Sequence, residues 1–572
     1  MLKEILGLFF TFTLLEAAQI PLQAQYHRHP TIVNLDNDSG DDWNINVAPS
    51  QNATGHLVFE TVNSFLQHWP NTRYRNGHSV VPGLIPAGTV LYHGRGDANT
   101  PTVPEWLATD PEHSYHFCRG QTADSGCWQL VITVLRPLKV LYFDGSAAAK
   151  MRDGSMDSQD ILAYGKVVPE KFFSERERIR NLCEWARNLD VDGFVRMEMD
   201  FEIMLCDFAQ GVFVEPLNLR ARPRNGRGPG GPGRRPGGPE GPRRPSDKTF
   251  PLPSNFHYES SYTQSLNVNS SALPSSGLDG AIYSGSWHRY YPGDTRIQLD
   301  LTRLVSFYDT ELVPSLVTER YGKERIKHRL LGISSEDLQT VVRKIEELTA
   351  VADLGSGIDW ATLIRLIVKR YSERLEMVQY VLNSSNPNSV SENKALAENV
   401  QINLIAMLQP YMLYTIKPSP DLPTSTKWVS PMYELCATTY TKYIITSSLH
   451  LRLTGSENLI LNGIQETTKE ICRVVTGMWV DGVMAGLEPD FYQPSEEIDD
   501  AVQLELLIHS WKERILGLMK WLDWSVWLKC RPACGFEEMC YLPTWPFIRG
   551  SDDSDDPQPS CVRRMASLDG QN

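Results

Sequence analysis

The stretch Arg220 to Arg244, RARPRNGRGPGGPGRRPGGPEGPRR, decides how the rest of the chain is read. Proline lacks the N–H that a helix or a sheet ladder needs, glycine has the most backbone freedom to lose, and the arginines repel one another. No packed element forms from that mixture, so residues 220–250 are expected to be a solvated spacer; a basic tether for nucleic acid or an acidic surface is the competing reading. Hydrophobic periodicity changes across it. On the N-terminal side, short runs of Val, Ile, Leu and aromatics at Thr89–His93, Leu130–Leu135, Lys139–Asp144, Gly193–Met197 and Phe201–Phe208 read as strands. Helical pieces lie between them, at Asp110–Cys118 and Glu175–Asn188. On the C-terminal side the repeat becomes helical. Leu363, Ile364, Ile367, Tyr371, Leu375, Val378 and Leu382 share one stripe, and Leu504, Ile508, Trp511, Ile515, Leu518 and Leu522 another. Ser334–Asp337 has the form of a capping box before a further helix. The expected architecture is α+β, with mixed or antiparallel sheets and helices over residues 56–219, followed by an all-α helical bundle over 295–545.

The chain of 572 residues exceeds what one core usually supports, and its 41% hydrophobic content is enough to pack two. A formal charge of -14 excludes a general nucleic-acid binder, which needs a basic surface. Lys3 followed by the apolar run Ile5–Leu15 reads as an export signal over residues 1–24, too short to span a bilayer; a buried N-terminal helix is the alternative. Residues 25–55 are polar and read as a disordered leader, and residues 546–572 as an acidic tail. No other run is long enough for a membrane span.

Ten cysteines form an even set, as in secreted proteins. Cys530, Cys534, Cys540 and Cys561 lack the paired Cys-x-x-Cys of a zinc ribbon and are expected to form disulfides, as are Cys118 with Cys127, Cys183 with Cys206 and Cys436 with Cys472. Four Asn-x-Ser/Thr triplets, at Asn37, Asn52, Asn269 and Asn383, have the form of glycosylation acceptors. Export and secretion fit all of these features.

Three stretches of the first region carry residue types suited to chemistry. Val90-Leu91-Tyr92-His93-Gly94 is an apolar strand ending in His then Gly. Trp106 to Cys118, WLATDPEHSYHFC, turns into a helix. In Asp200 to Gln210, DFEIMLCDFAQ, carboxylates open a hydrophobic strand, with Asp200 and Glu202 alternating onto one face. Each has a plain structural reading: a turn histidine, core aromatics and a strand-end acid. Taken together and in this order they resemble the poly(ADP-ribose) polymerase and diphtheria-toxin branch of the ADP-ribosyltransferases. The overall layout is also similar to that of exported proteins of filamentous fungi.

The resemblance implies that NAD is the substrate and that no metal is needed. By position it implies that His93 contacts the adenosine ribose and the Gly94 backbone the nicotinamide amide, while Trp106 and Phe117 sandwich the nicotinamide ring. Phe117 stands where the family has Tyr, so a π face is kept and a hydroxyl lost. Glu202 would be the catalytic residue, stabilising the positive charge that develops on the sugar as the nicotinamide bond breaks. ADP-ribose would pass to a protein acceptor or to water. The alternative expectation is a catalytically degenerate version of the same fold, used for binding. His113, His116 and Cys118 form a small cluster with donor atoms, which helix entry and a disulfide explain without a metal.

Overall fold

A computed structural model describes residues 43–118, 126–219, 285–350, 355–384, 390–418, 425–492, 501–545 and 556–563. The export signal over 1–24 and the spacer over 220–250 lie outside these residues. The described chain is a mixed β-sheet with helices on both faces, followed by a helical region.

In the first region the order is α1 (Gly55–Ser64), α2 (His68–Arg73), β1 (Ser79–Ile85), β2 (Val90–Arg95), β3 (Glu105–Ala108), α3 (Pro111–Tyr115), β4 (Cys127–Val134) and β5 (Leu138–Phe143). There follow α4 (Asp157–Tyr164), α5 (Glu175–Trp185), β6 (Gly193–Met197), β7 (Phe201–Leu205) and β8 (Val212–Leu219). Beyond the spacer come β9 (Gln298–Leu299), β10 (Val305–Ser306), α6 (Ser315–Arg320), α7 (Ser335–Ala350), α8 (Trp360–Asn383), α9 (Val390–Leu408) and α10 (Ser430–Thr438). The last elements are α11 (Lys442–Thr446), α12 (Gly455–Met484), α13 (Ala501–Leu522), β11 (Glu538–Tyr541) and β12 (Ser560–Arg563).

The strands pair in the order β10-β1-β5-β6-β7-β3-β2-β4-β8, with β9 also on β1. All pairs are antiparallel except β5 with β6, whose parallel crossover runs through α4 and α5. Pro82 sits in the middle of β1 and cannot donate to the ladder. The outer side of β1 is accordingly bridged in two separate pieces, Ser79–Val80 by β10 and Gly83–Leu84 by β9. Pro216 in β8 is accommodated for the same reason, since β8 is the edge strand.

The two regions are built around shared hydrophobic packing. α1 is buried on nearly every side, from Leu57 to Ser64. Its Phe59 and Val62 belong to one apolar cluster with Leu91, Leu107 and Ile203 of the sheet and Ile364, Ile464 and Trp511 of the helices. The boundary expected at residue 295 is therefore crossed, because Gln298–Ser306 completes the sheet before the helices begin. The leader expected to reach residue 55 ends earlier, since Ile45 is buried and Trp43 stands edge-on to Tyr433 at 5.3 Å. The acidic tail is likewise ordered in part: Ser560–Arg563 pairs with Glu538–Tyr541.

The disulfides are Cys118–Cys127, Cys183–Cys206, Cys436–Cys472, Cys530–Cys540 and Cys534–Cys561, and no described cysteine is free. Trp521, Trp524 and Trp527 serve packing: Trp521 stacks on His56 at 4.0 Å, Trp524 is buried against Phe59, and Trp527 donates to Ser372 O. Among the described residues no helix is long and apolar enough to cross a membrane.

Candidate functional site

Residues directly opposite each other in antiparallel strands point to the same face of a sheet, and neighbours along a strand alternate. Tyr92 of β2 stands opposite Ala108 of β3, and Ala108 opposite Glu202 of β7. Tyr92 and Glu202 thus share a face, and His93 leaves the sheet on the other one. Packing on each side agrees with this parity. His93 is paired with the core residue Leu130 and lies 6.2 Å from the Phe208 ring, both in the cluster that contains α1. Glu202 is paired with Arg196 and followed on its face by Met204, which packs with α4 and α5.

Of the residues singled out from the sequence, Gly94, Trp106 and Glu202 share one face and His93 does not. His93 Nε2 hydrogen-bonds Glu105 Oε2 at 2.6 Å, and Arg95 Nη1 donates to the same oxygen at 3.0 Å. Burial raises the Glu105 carboxyl, but His93 and Arg95 more than offset it and hold the acid below its usual range. Trp106 packs beside Met204, and its buried indole N–H has no hydrogen-bond partner among the described residues. Gly94 is explained by close approach: a Cβ there would lie 2.0 Å from the Ser114 carbonyl oxygen and 2.8 Å from the Cys118 nitrogen. The end of α3 occupies the space over it. The helix expected to continue to Cys118 closes at Tyr115, as the chain turns to meet Cys127 across the disulfide. Phe117 lies past its end with 42% of its surface exposed.

Glu202 sits in a buried ion network. Arg196 Nε donates to Glu202 Oε1 at 2.6 Å and Nη1 to Gln159 Oε1 at 3.1 Å, and Nη2 pairs with Glu175. Arg178 bridges Glu175 at 2.8 Å and Asp160 at 2.7 Å, and Lys150 pairs with Glu198. Three cations thus face four carboxylates. Glu198 takes up the excess: burial first, and repulsion from Glu202, raise its pKa to about 7 against the pull of Lys150.

At the β6–β7 turn a second cluster forms, which the sequence reading reached only through Asp200. His288 Nε2 lies 2.9 Å from Asp200 Oδ1, and Arg296 Nη2 bonds Asp110 at 2.9 Å and Asp294 at 2.7 Å. Asp200, His288 and Asp294 are fully buried. Burial alone lowers the imidazole's pKa, yet attraction to Asp200 and Asp110 carries it to about 9, so His288 is a cation here. Asp110, Asp200 and His288 are the described residues best placed for a metal ion outside the cysteines, each offering one donor within 4.8 Å of the others. Arg296 and the imidazolium already supply positive charge to these acids. His288 and Asp294 lie beyond the spacer, with no motif around them to mark them.

Residues 43–131 and 121–219 match the family described as the YPL277C N-terminal domain, a span that ends with β8. The chain is 24% identical over 603 aligned positions to the Saccharomyces cerevisiae protein named "Uncharacterized protein YOR389W", covering 95% of this chain and 90% of that one. It is 26% identical over 425 positions to "Uncharacterized protein YPL277C" of the same yeast, covering 64% and 81%. No solved structure matches.

Proposed function

We propose that the chain is an exported binding protein, in which residues resembling those of an ADP-ribosyltransferase serve to hold the sheet together and do not cleave NAD. One observation carries this reading: His93 and Glu202 project from opposite faces of the sheet, so one dinucleotide does not reach both. Arg196 adds to it, because Glu202 is engaged in a buried ion pair where catalysis would need it on a ribose hydroxyl. Five disulfides and the absence of a membrane-spanning helix among the described residues fit an oxidising, extracellular setting. The test is an incubation of the purified full chain with nicotinamide-labelled NAD, with and without cell extract. The expected result is no nicotinamide release above buffer for the native chain or for Glu202→Ala. Release by the native chain that disappears in Glu202→Ala would overturn the proposal.

A second reading keeps the enzyme. Gly94, Trp106 and Glu202 share a face, which favours a nicotinamide site on that side without His93, provided that the end of α3 moves off Gly94. Glu202 would have to exchange Arg196 for the ribose 2-hydroxyl, with transfer to a protein or to water. The same assay separates the two.

A further inference from the structure

A cavity of about 230 Å³ opens where α1, α8 and the segment after α13 meet, and none of its lining residues belongs to the ion network around Glu202. It is much larger than the share of one water molecule, about 30 Å³, and smaller than drug-sized pockets, which start near 300 Å³. Small metabolites fit that range.

Its walls state what such a ligand must offer. Arg365 of α8 reaches the cavity with its guanidinium 4.9 Å above the Tyr291 ring, and it forms no ion pair with any described residue. Lys529 is a second lining cation. Its one carboxylate partner, Glu376 at 2.9 Å, is shared with Arg531 at 2.6 Å, so positive charge is in excess on this rim. Glu60 acts on Arg365 electrostatically but makes no contact ion pair with it, so the half-buried guanidinium still has hydrogen-bond donors for an anion, which a planar carboxylate meets with paired hydrogen bonds.

The floor makes a second, independent demand. Asn63 is 6% exposed, lines the cavity, and its Oδ1 has no hydrogen-bond partner among the described residues. Its orientation is fixed from below, since Nδ2 donates to Glu60 Oε2 at 3.0 Å. The other oxygen of Glu60 accepts from Ser525 N at 2.8 Å and from its hydroxyl at 2.5 Å, so a second lining residue is held by the same carboxylate. A buried amide oxygen left unpaired is costly, and a donor on a ligand would satisfy it. Val526 and Tyr290, whose hydroxyl donates to Leu528 O at 2.9 Å, also line the cavity. That part of the wall suits an apolar body.

We infer that this cavity binds a small organic acid: a carboxylate held by Arg365 and Lys529, an apolar or aromatic body against Tyr290 and Val526, and a hydroxyl donating to Asn63. The site does not depend on whether the sheet cleaves NAD. Its test uses the purified full chain and calorimetric titration with 4-hydroxybenzoate as the probe, beside its neutral counterpart 4-hydroxybenzamide and the hydroxyl-free benzoate. Saturable binding of 4-hydroxybenzoate is expected, with 4-hydroxybenzamide at least tenfold weaker and benzoate several-fold weaker. Arg365→Met should weaken 4-hydroxybenzoate at least tenfold and Arg365→Lys less, with the unfolding temperature of each variant measured to show that the fold is kept. No binding by the native chain, equal binding of acid and amide, or binding unchanged in a folded Arg365→Met variant would each overturn the assignment.

Discussion

The two faces of the sheet bury different kinds of matter. One face covers Leu91, Leu107, Leu130 and Ile203 with α1 and the helical region, mainly as hydrocarbon, with the His93–Glu105–Arg95 group as a smaller polar island. The other carries hydrocarbon as well, but beneath α4 and α5 it also encloses Arg196, Arg178, Lys150 and four carboxylates. Apolar contact scales with area at roughly 25 cal/mol per Å² and tolerates small shifts. A buried ion without its partner costs several kcal/mol. The charged face therefore fixes its side chains in position much more strictly, and Glu202 is one of them.

The largest effect that would break this contrast is at Arg196. Arg196→Met leaves Glu175 and Glu202 buried without their shared cation, and a loss of about 3–5 kcal/mol in urea unfolding is expected. A loss under about 1 kcal/mol would mean that the two faces are energetically alike.

The apolar side also contains a fully buried acid that sharpens the contrast. Glu60 of α1 is completely buried, and burial raises its pKa to about 7 despite Arg325 and the hydrogen bonds from Ser525. The folded state thus keeps a proton that the unfolded state gives up near 4.5, so this residue's contribution to stability falls as pH rises from about 4.5 to about 7. Over that window the change amounts to roughly 3 kcal/mol, at 1.36 kcal/mol per unit. Glu60→Gln should gain on the native chain by up to that amount between pH 4.5 and 7. A difference independent of pH would contradict the assignment.

Gly94→Ala is expected to have a smaller effect. Its Cβ would meet the Ser114 carbonyl, which is backbone and yields only if α3 moves, and overpacking of this kind costs about 1–3 kcal/mol. A neutral substitution would restore open space above Gly94, and with it the case for a nicotinamide there.

Much of the architecture was legible because its signals are local. Alternation marked β2, β4, β5, β6 and β7, and helical stripes marked α8 and α13, whose Ile364, Tyr371, Ile508 and Trp511 are all in the core. β1 and β8 escaped, because Pro82-Gly83 and Pro216 argue against a strand until the edge position of one and the broken pairing of the other are known. Cysteine positions carried Cys118–Cys127, Cys183–Cys206 and Cys436–Cys472 correctly. For the site, strand period leads to the expectation of one face for Asp200 and Glu202, but β7 begins only at Phe201, and Asp200 in the turn before it joins His288 while Glu202 joins Arg196. The side of the sheet that His93 takes relative to Glu202 does not follow from period. It depends on the register of β2 on β3 and of β3 on β7, and a slip of one residue in either reverses the answer.

A double-mutant cycle between Arg196 and Glu202 shows whether Glu202 is a structural acid. Stabilities of the native chain, Arg196→Met, Glu202→Leu and the double variant give the coupling between the two side chains. A value of about 2 kcal/mol or more is predicted, with the double variant little worse than Arg196→Met alone. Additive losses, agreeing within about 0.5 kcal/mol, would show that Glu202 does not depend on Arg196 and would return it to the candidates for catalysis.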